Sequence, residues 1–141
     1  MSSSVAQRIL LAVDALPLRP GIRVLEVGCG PGVAAREIVR RWPSAVLGID
    51  RSPKAIQQAL AGSQAEIARG SLAFRQVAAE AFELEADEQP YDLAFALRVG
   101  ALDGRHPAAG AIAIPRIKAA LRKGGRIFID GGSPLREVGE A

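Results

Sequence analysis

The sequence predicts an α/β protein, a mostly parallel sheet of about five strands doubly wound by helices on both faces. Three observations carry this. Short apolar runs recur at Arg23–Val27, Ala45–Asp50, Leu72–Val77, Tyr91–Leu97 and Ile127–Asp130, and stretches with helical spacing separate them. Strands that alternate with helices form a parallel sheet through right-handed crossovers. The first strand runs straight into a glycine turn, Gly28-Cys29-Gly30-Pro31-Gly32, and acids stand at the ends of the first two strands, Glu26 and Asp50.

Each element has its own signals. Ser3 or Ser4 can cap a first helix running to about Ala15, with Val5, Ile9, Ala12, Val13 and Leu16 on one face. Pro17 and Pro20-Gly21 stop it. After the glycine turn a helix covers about Val33–Arg41, and Trp42-Pro43 ends it. Ser52-Pro53 is an N-cap followed by proline in the first turn; that helix runs to about Ala68, weakened by Gly62. Ala101–Gly110 reads as a polar loop, and Ile112–Arg122 as a helix that Pro115 kinks or restarts.

The glycine turn is the most informative segment. Glycine is required where φ is positive or where a ligand must touch the main chain. The helix behind it aims free N–H groups and a positive dipole end at that ligand. A dinucleotide site has the spacing G-x-G-x-x-G. Here the spacing is G-x-G-x-G, and Val33 stands where the later glycine would fall. Asp50 lies 22 residues after Gly28, near the spacing of a carboxylate that holds a ribose. The plainer alternative for Asp50 is a solvated strand end or a helix start.

Glu26, Gly28, Gly30 and Gly32 match, residue by residue, the (D/E)-x-G-x-G-x-G motif of the class I, Rossmann-like, S-adenosylmethionine (SAM) dependent methyltransferases, which the chain resembles from about Val5 to Asp130. The resemblance implies a single SAM-binding domain over residues 1–141, strand order 3-2-1-4-5, and SAM as cofactor. It implies that the glycine loop, including Cys29, wraps the methionyl and ribose parts, that Glu26 holds the amino end, and that Asp50 holds the ribose. Arg51 would lie over the adenine, at a position usually apolar. Ala79 and Glu80 match the end of a G-D-A-E-like segment, while Ala78 replaces the acid that commonly bonds the adenine amino group. Glu80 reads equally as a helix-start acid. Arg98, Val99 and Gly100 would line the junction of cofactor and acceptor. Leu121-Arg122-Lys123-Gly124-Gly125-Arg126 resembles the L-K-P-G-G-R/x turn before the fifth strand.

The family continues beyond its fifth strand with a helix and an antiparallel strand pair. Only Gly131–Ala141 follows here, so the sheet is expected to lack that pair. The fifth strand would then be an open, β-prone edge, and a homodimer covering that edge or its apolar face is expected. The alternative is that Ser133–Ala141 folds over the edge within one subunit.

Composition sets bounds. The chain has 141 residues, 49% of them hydrophobic, with net charge +3 and pI 9.6. The arginines are scattered, which gives nucleic-acid binding little support. One cysteine excludes an internal disulfide framework and fits a reducing compartment, so the cytoplasm is expected. No run reaches the ~18 apolar residues of a membrane span. One histidine and one cysteine, far apart, give no metal set. His106 is the sole histidine and a candidate base; Asp103 and Arg105 are loop candidates beside it, and a plain loop histidine is the alternative. The expected function is methyl transfer from SAM to a small-molecule acceptor. A non-catalytic SAM-binding or partner subunit, and an NAD-type oxidoreductase, are the alternatives.

Overall fold

A computed structural model describes residues 2–139, with the side chains of residues 2–4 not described. The Ser3 or Ser4 side-chain cap therefore lies outside the described residues. The chain forms α1 (Ser2–Ala15), β1 (Ile22–Val27), α2 (Val33–Arg41), β2 (Ser44–Asp50), α3 (Pro53–Gly62), α4 (Gln64–Ala68), β3 (Leu72–Gln76), β4 (Tyr91–Ala96), α5 (Gly100–Asp103), α6 (Pro107–Ala119), β5 (Leu121–Asp130) and β6 (Leu135–Val138). A 3₁₀ turn spans Ala79–Ala81.

The sheet order is β3-β2-β1-β4-β5-β6. β1 to β5 are parallel neighbours, and β6 runs antiparallel to β5, with Ile127 opposite Val138 and Asp130 opposite Leu135. The expectation of a sheet lacking a C-terminal antiparallel pair is thus corrected. A turn through Gly131 (φ +109) lets four residues return along β5 and satisfy its outer hydrogen-bonding groups. The β5 edge on which the homodimer expectation rested is covered from within the chain.

Pleat alternation sorts the core onto two faces. Ile22 and Val24 of β1 pack with Val13 and Leu16 of α1 and Ala34, Ala35 and Ile38 of α2. Leu25 and Val27 pack with Leu102 of α5, Ala113 and Ile117 of α6, and Phe82 after the 3₁₀ turn. Both faces of β5 are buried at Ile127, Phe128 and Ile129. Glu26 shares the register of Ile22 and Val24, so its carboxyl points at the α2 layer rather than at solvent.

Four local features depart from the sequence reading. The helix expected over 53–68 breaks at Ser63, just where Gly62 was expected to weaken it. The segment read as a polar loop at 101–110 is largely helical. His106-Pro107 starts α6, and Gly110 lets α6 press onto α5, where a Cβ would fall 2.7 Å from the Ala101 carbonyl oxygen. Pro115 lies inside an α6 that runs unbroken to Ala119. The Leu121–Arg126 turn belongs to β5, as an irregularity between the Tyr91–Leu121 and Leu93–Arg126 pairs.

No helix among the described residues is long and apolar enough to cross a membrane.

Candidate functional site

The carboxyl ends of β1, β2, β3 and β4 meet where the strand order reverses, the place where open α/β sheets bind ligands. The glycine loop after β1 supplies the floor. Gly28, Gly30 and Gly32 all have positive φ, at +69°, +53° and +87°. At Gly28 a Cβ would also fall 2.5 Å from Val99 Cγ2, so a side chain there is excluded twice. Gly32 is the N-cap of α2.

Two hollows flank this loop and share Gly28. The first, of about 620 Å³, is lined by Gly28, Asp50, Arg51, Ala79, Glu80 and His106 among others. The second, of about 560 Å³, is lined by Glu26, Gly28, Cys29, Gly30, Arg98 and Asp130, with Arg8 and Ile9 of α1 on its far wall. Most of the residues expected at the site line one or both; Gly100 and Asp103 line neither, and nor does Gly32. Its place is structural: a Cβ there would press on Phe74 at 2.9 Å and Arg36 at 3.0 Å.

Asp50 does more than end a strand. Its Oδ2 accepts a hydrogen bond from the Gly30 N–H at 2.9 Å, and its Oδ1 accepts one from the Ser52 N–H at 2.9 Å. The carboxylate thus pins the glycine loop to the tip of β2 and the start of α3. Asp50 also lines the first hollow. Ser52 caps α3 by accepting from the Ala55 N–H at 3.1 Å, with Pro53 in the first turn. The Val77 N–H donates to the Asp50 carbonyl at 3.0 Å, which sets the chain entering Ala78–Glu80 beside it.

Glu26 is 4% exposed, and its Oε1 has no hydrogen-bond partner. Burial pushes its pKa well above the ordinary carboxylate value; the Ala35 backbone N–H pulls down, the Asp50 charge pushes up, and Arg36 pulls down. An orphaned carboxyl oxygen at the floor of a hollow is costly without a ligand and fitted to a cationic donor. Cys29 is also buried, and burial, Glu26 and Asp50 all push its thiol far up. It is held protonated and serves as a small loop residue rather than a nucleophile. Its backbone N–H donates to the Ile49 carbonyl at 2.9 Å.

Arg98, just beyond β4, has φ +59°, and its N–H donates to Asp130 Oδ1 at 3.0 Å. His106 is exposed, at the start of α6, with its ring in the notch over Gly100; a Cβ there would lie 2.2 Å from Cδ2. Arg105 is paired with Asp103 at 2.8 Å, which lowers the Asp103 pKa. Among the described residues no group of three or more His, Cys, Asp or Glu side chains could hold a metal.

Several contributors escaped the sequence reading. Arg36 of α2 donates from Nη1 to the Pro31 carbonyl at 2.8 Å and to Ser63 Oγ at 2.9 Å, strapping the glycine loop to the α3–α4 junction. Gly62 gives that guanidinium room, since a Cβ would lie 3.1 Å from Nη1. Gly48, inside β2, leaves space for Phe74 and Cys29; a Cβ would fall within 2.9 Å of both. A glycine within a strand does signal close approach. Arg36 gives no such sign, because an arginine on an amphipathic helix ordinarily faces water.

Fold and site together define a nucleotide-cofactor protein of the Rossmann-like class. The model of the methyltransferase domain family matches residues 24–125, and the chain belongs to that family, the class I SAM-dependent methyltransferases. Among curated relatives it is 37% identical over 86 residues to a trans-aconitate 2-methyltransferase of Streptomyces avermitilis, covering 60% of this chain and 30% of that protein. It is 34% identical over 125 residues to the enzyme of the same name from Methylobacterium nodulans, covering 86% and 43%. A SAM-dependent methyltransferase from Geobacter sulfurreducens, solved with S-adenosylhomocysteine (SAH), superposes with TM-score 0.68 and 25% identity over 87% of this chain and 47% of that one. The chain spans less than half the length of each of these three.

Proposed function

We propose that the chain binds SAM across the two hollows and directs its methyl group to a small-molecule acceptor by in-line displacement. The observation that carries this reading is the orphaned Glu26 carboxyl oxygen beside three left-handed glycines. SAM has an ammonium group to satisfy that oxygen, and NAD has none.

The residues divide the ligand between them. Glu26 takes the α-ammonium, and the backbone of Gly28, Cys29 and Gly30 follows the methionyl chain and the ribose. Asp50 accepts from the ribose hydroxyls while still holding the loop. Arg51 stacks on the adenine ring, which a guanidinium plane does well. Ala79 contributes its backbone and Glu80 its carboxylate at the adenine edge, in place of the acid missing at Ala78. Gly32 keeps α2 pointed at the site. Arg98 stands where cofactor and acceptor meet.

When bound, SAM supplies a methyl group on a sulfonium, already activated for displacement. The protein's work is orientation and exclusion of water, which can contribute about 7–11 kcal/mol. His106 is the candidate base for an acceptor that must lose a proton. The names of the curated relatives support a small acid as acceptor. The lone buried thiol suits a reducing, cytoplasmic setting. With β5 paired, a homodimer would have to use the outer edge of β6 or an apolar face, and light scattering at micromolar concentration tests it.

Calorimetric titration tests the cofactor reading. SAH should bind with one-to-one stoichiometry and NAD should not; binding of NAD alone would replace this reading with the oxidoreductase one. Turnover against an acceptor panel separates an enzyme from a non-catalytic SAM-binding subunit.

A further inference from the structure

The second hollow holds more than one end of a cofactor requires. At about 560 Å³ it is by itself the size of a small-molecule site, and the first hollow, at about 620 Å³, is another. One SAM spanning both, with adenosine in the first and its methionyl arm at Glu26, leaves the α1 side of the second for another molecule. That side is apolar. Val5, Ile9 and Leu11 of α1 line it together with Leu97 and Pro134. Val5 and Leu11 are 48% and 57% exposed, large apolar side chains left to water at the edge of a cleft.

Two cations line this same hollow, Arg8 and Arg98. Neither guanidinium has a hydrogen-bond or carboxylate partner among the described residues. The acids there are Glu26, whose Oε1 is orphaned, and Asp130, whose Oδ1 accepts from the Arg98 backbone N–H. The amino-acid end of SAM is a zwitterion, so it calls on one acid, Glu26, and one guanidinium. Arg98 is placed for that. It follows β4, whose Ala96 pairs with Val27 at the threshold of the glycine loop. Arg8 is left over, on the opposite wall. Along α1, Val5 precedes it by one turn and Leu11 and Ala12 follow it by one turn. A single helix face thus carries a free cation among apolar side chains.

We propose that the acceptor is an amphiphile with a single anionic group. Its alkyl or aryl body lies on Val5, Ile9, Leu11 and Leu97, and Arg8 holds the anion. This rests on the methyl-transfer reading and adds the shape and charge of the acceptor and the residues that select it. The apolar wall gains affinity from area removed from water, and the guanidinium fixes orientation through a charge-assisted pair. A body without the charge leaves Arg8 unpaired. A compact polyanion leaves the wall in water. Each should bind less well than a ligand that satisfies both.

The test titrates 4-phenylbutanoate and octanoate into the protein saturated with SAH. The controls are 4-phenylbutanamide, a body without charge, and propane-1,2,3-tricarboxylate, charges without a body. At least one of the two amphiphiles should bind, at least tenfold more tightly than either control. Leu11→Gln should weaken that amphiphile at least fivefold. Arg8→Gln should bring 4-phenylbutanoate down to the level of its amide, and Arg8→Lys should recover part of the loss. SAH affinity of all three variants should equal that of the wild type, which shows that they fold. Four results overturn the proposal and leave the methyl-transfer reading in place: SAH binding with no response to either amphiphile, tighter binding of the tricarboxylate, unchanged amphiphile affinity in Leu11→Gln, or loss of SAH affinity in Arg8→Gln, which would give that guanidinium to the cofactor. Failure of the wild type to bind SAH overturns that reading, and this proposal with it.

Discussion

Replacing Glu26 by Gln should move stability and ligand affinity in opposite directions. The side chain is buried and its pKa is raised, chiefly by desolvation. In the unfolded chain it titrates as an ordinary carboxylate. Between those two pKa values the unfolded state has lost the proton and the folded state has kept it. Stability therefore falls as pH rises through that window, by at most about 1.4 kcal/mol per pH unit for one proton, and levels off above the folded pKa. With the ordinary value at 4.5, the ceiling at pH 7 is about 3 kcal/mol. Gln keeps the shape and an oxygen for the Ala35 N–H but cannot ionise. The ligand-free variant should be about 1–3 kcal/mol more stable than wild type at pH 7 and nearly equal to it at pH 4. Urea unfolding across pH 4–8 measures this. Binding should run the other way. An ammonium that ionises Glu26 must release its proton, so wild-type SAH affinity should rise with pH up to the raised pKa. Gln should bind SAH about tenfold to a hundredfold more weakly, the worth of a charge-assisted hydrogen bond. Equal SAH affinity in the two proteins, or an unchanged stability slope, would refute the assignment.

Other expectations follow from the same geometry. Asp50→Ala removes both the ribose acceptor and the Gly30 anchor, so SAH should weaken more than tenfold by calorimetry, with a loss of about 1–2 kcal/mol in urea unfolding. Arg36→Met should weaken SAH severalfold by releasing the Pro31 carbonyl, and should raise the pH at which SAH affinity levels off, because Arg36 helps to hold Glu26 down. Arg36→Lys should restore that pH dependence more than the affinity. Gly48→Ala should cost about 1–3 kcal/mol by thermal denaturation, since its Cβ meets both Phe74 and Cys29 inside the layer under the loop.

Much of this fold is written locally. β1, the glycine turn and α2 are consecutive in the chain, and turn chemistry, apolar pattern and helix start agree there, so their limits were legible. The same holds for Ser52-Pro53, whose cap contact forms as the residues imply. The region after β4 was not legible. Gly104 and Gly110 read as loop residues, yet Gly110 serves a tertiary contact with Ala101 that exists only once α5 and α6 pack. β6 was missed because four residues with one glycine turn before them carry little periodicity. They become a strand through pairing with β5. Within the site, acids and glycines announce themselves by type and spacing. Arg36 does not, because its role depends on which distant loop lies within reach.

The most direct measurement is a crystal structure of the protein with SAH. The α-ammonium nitrogen should lie about 3 Å from Glu26 Oε1, with a ribose hydroxyl at the same range from Asp50. SAH seated with its ammonium in solvent and Glu26 still unpartnered would contradict the central claim.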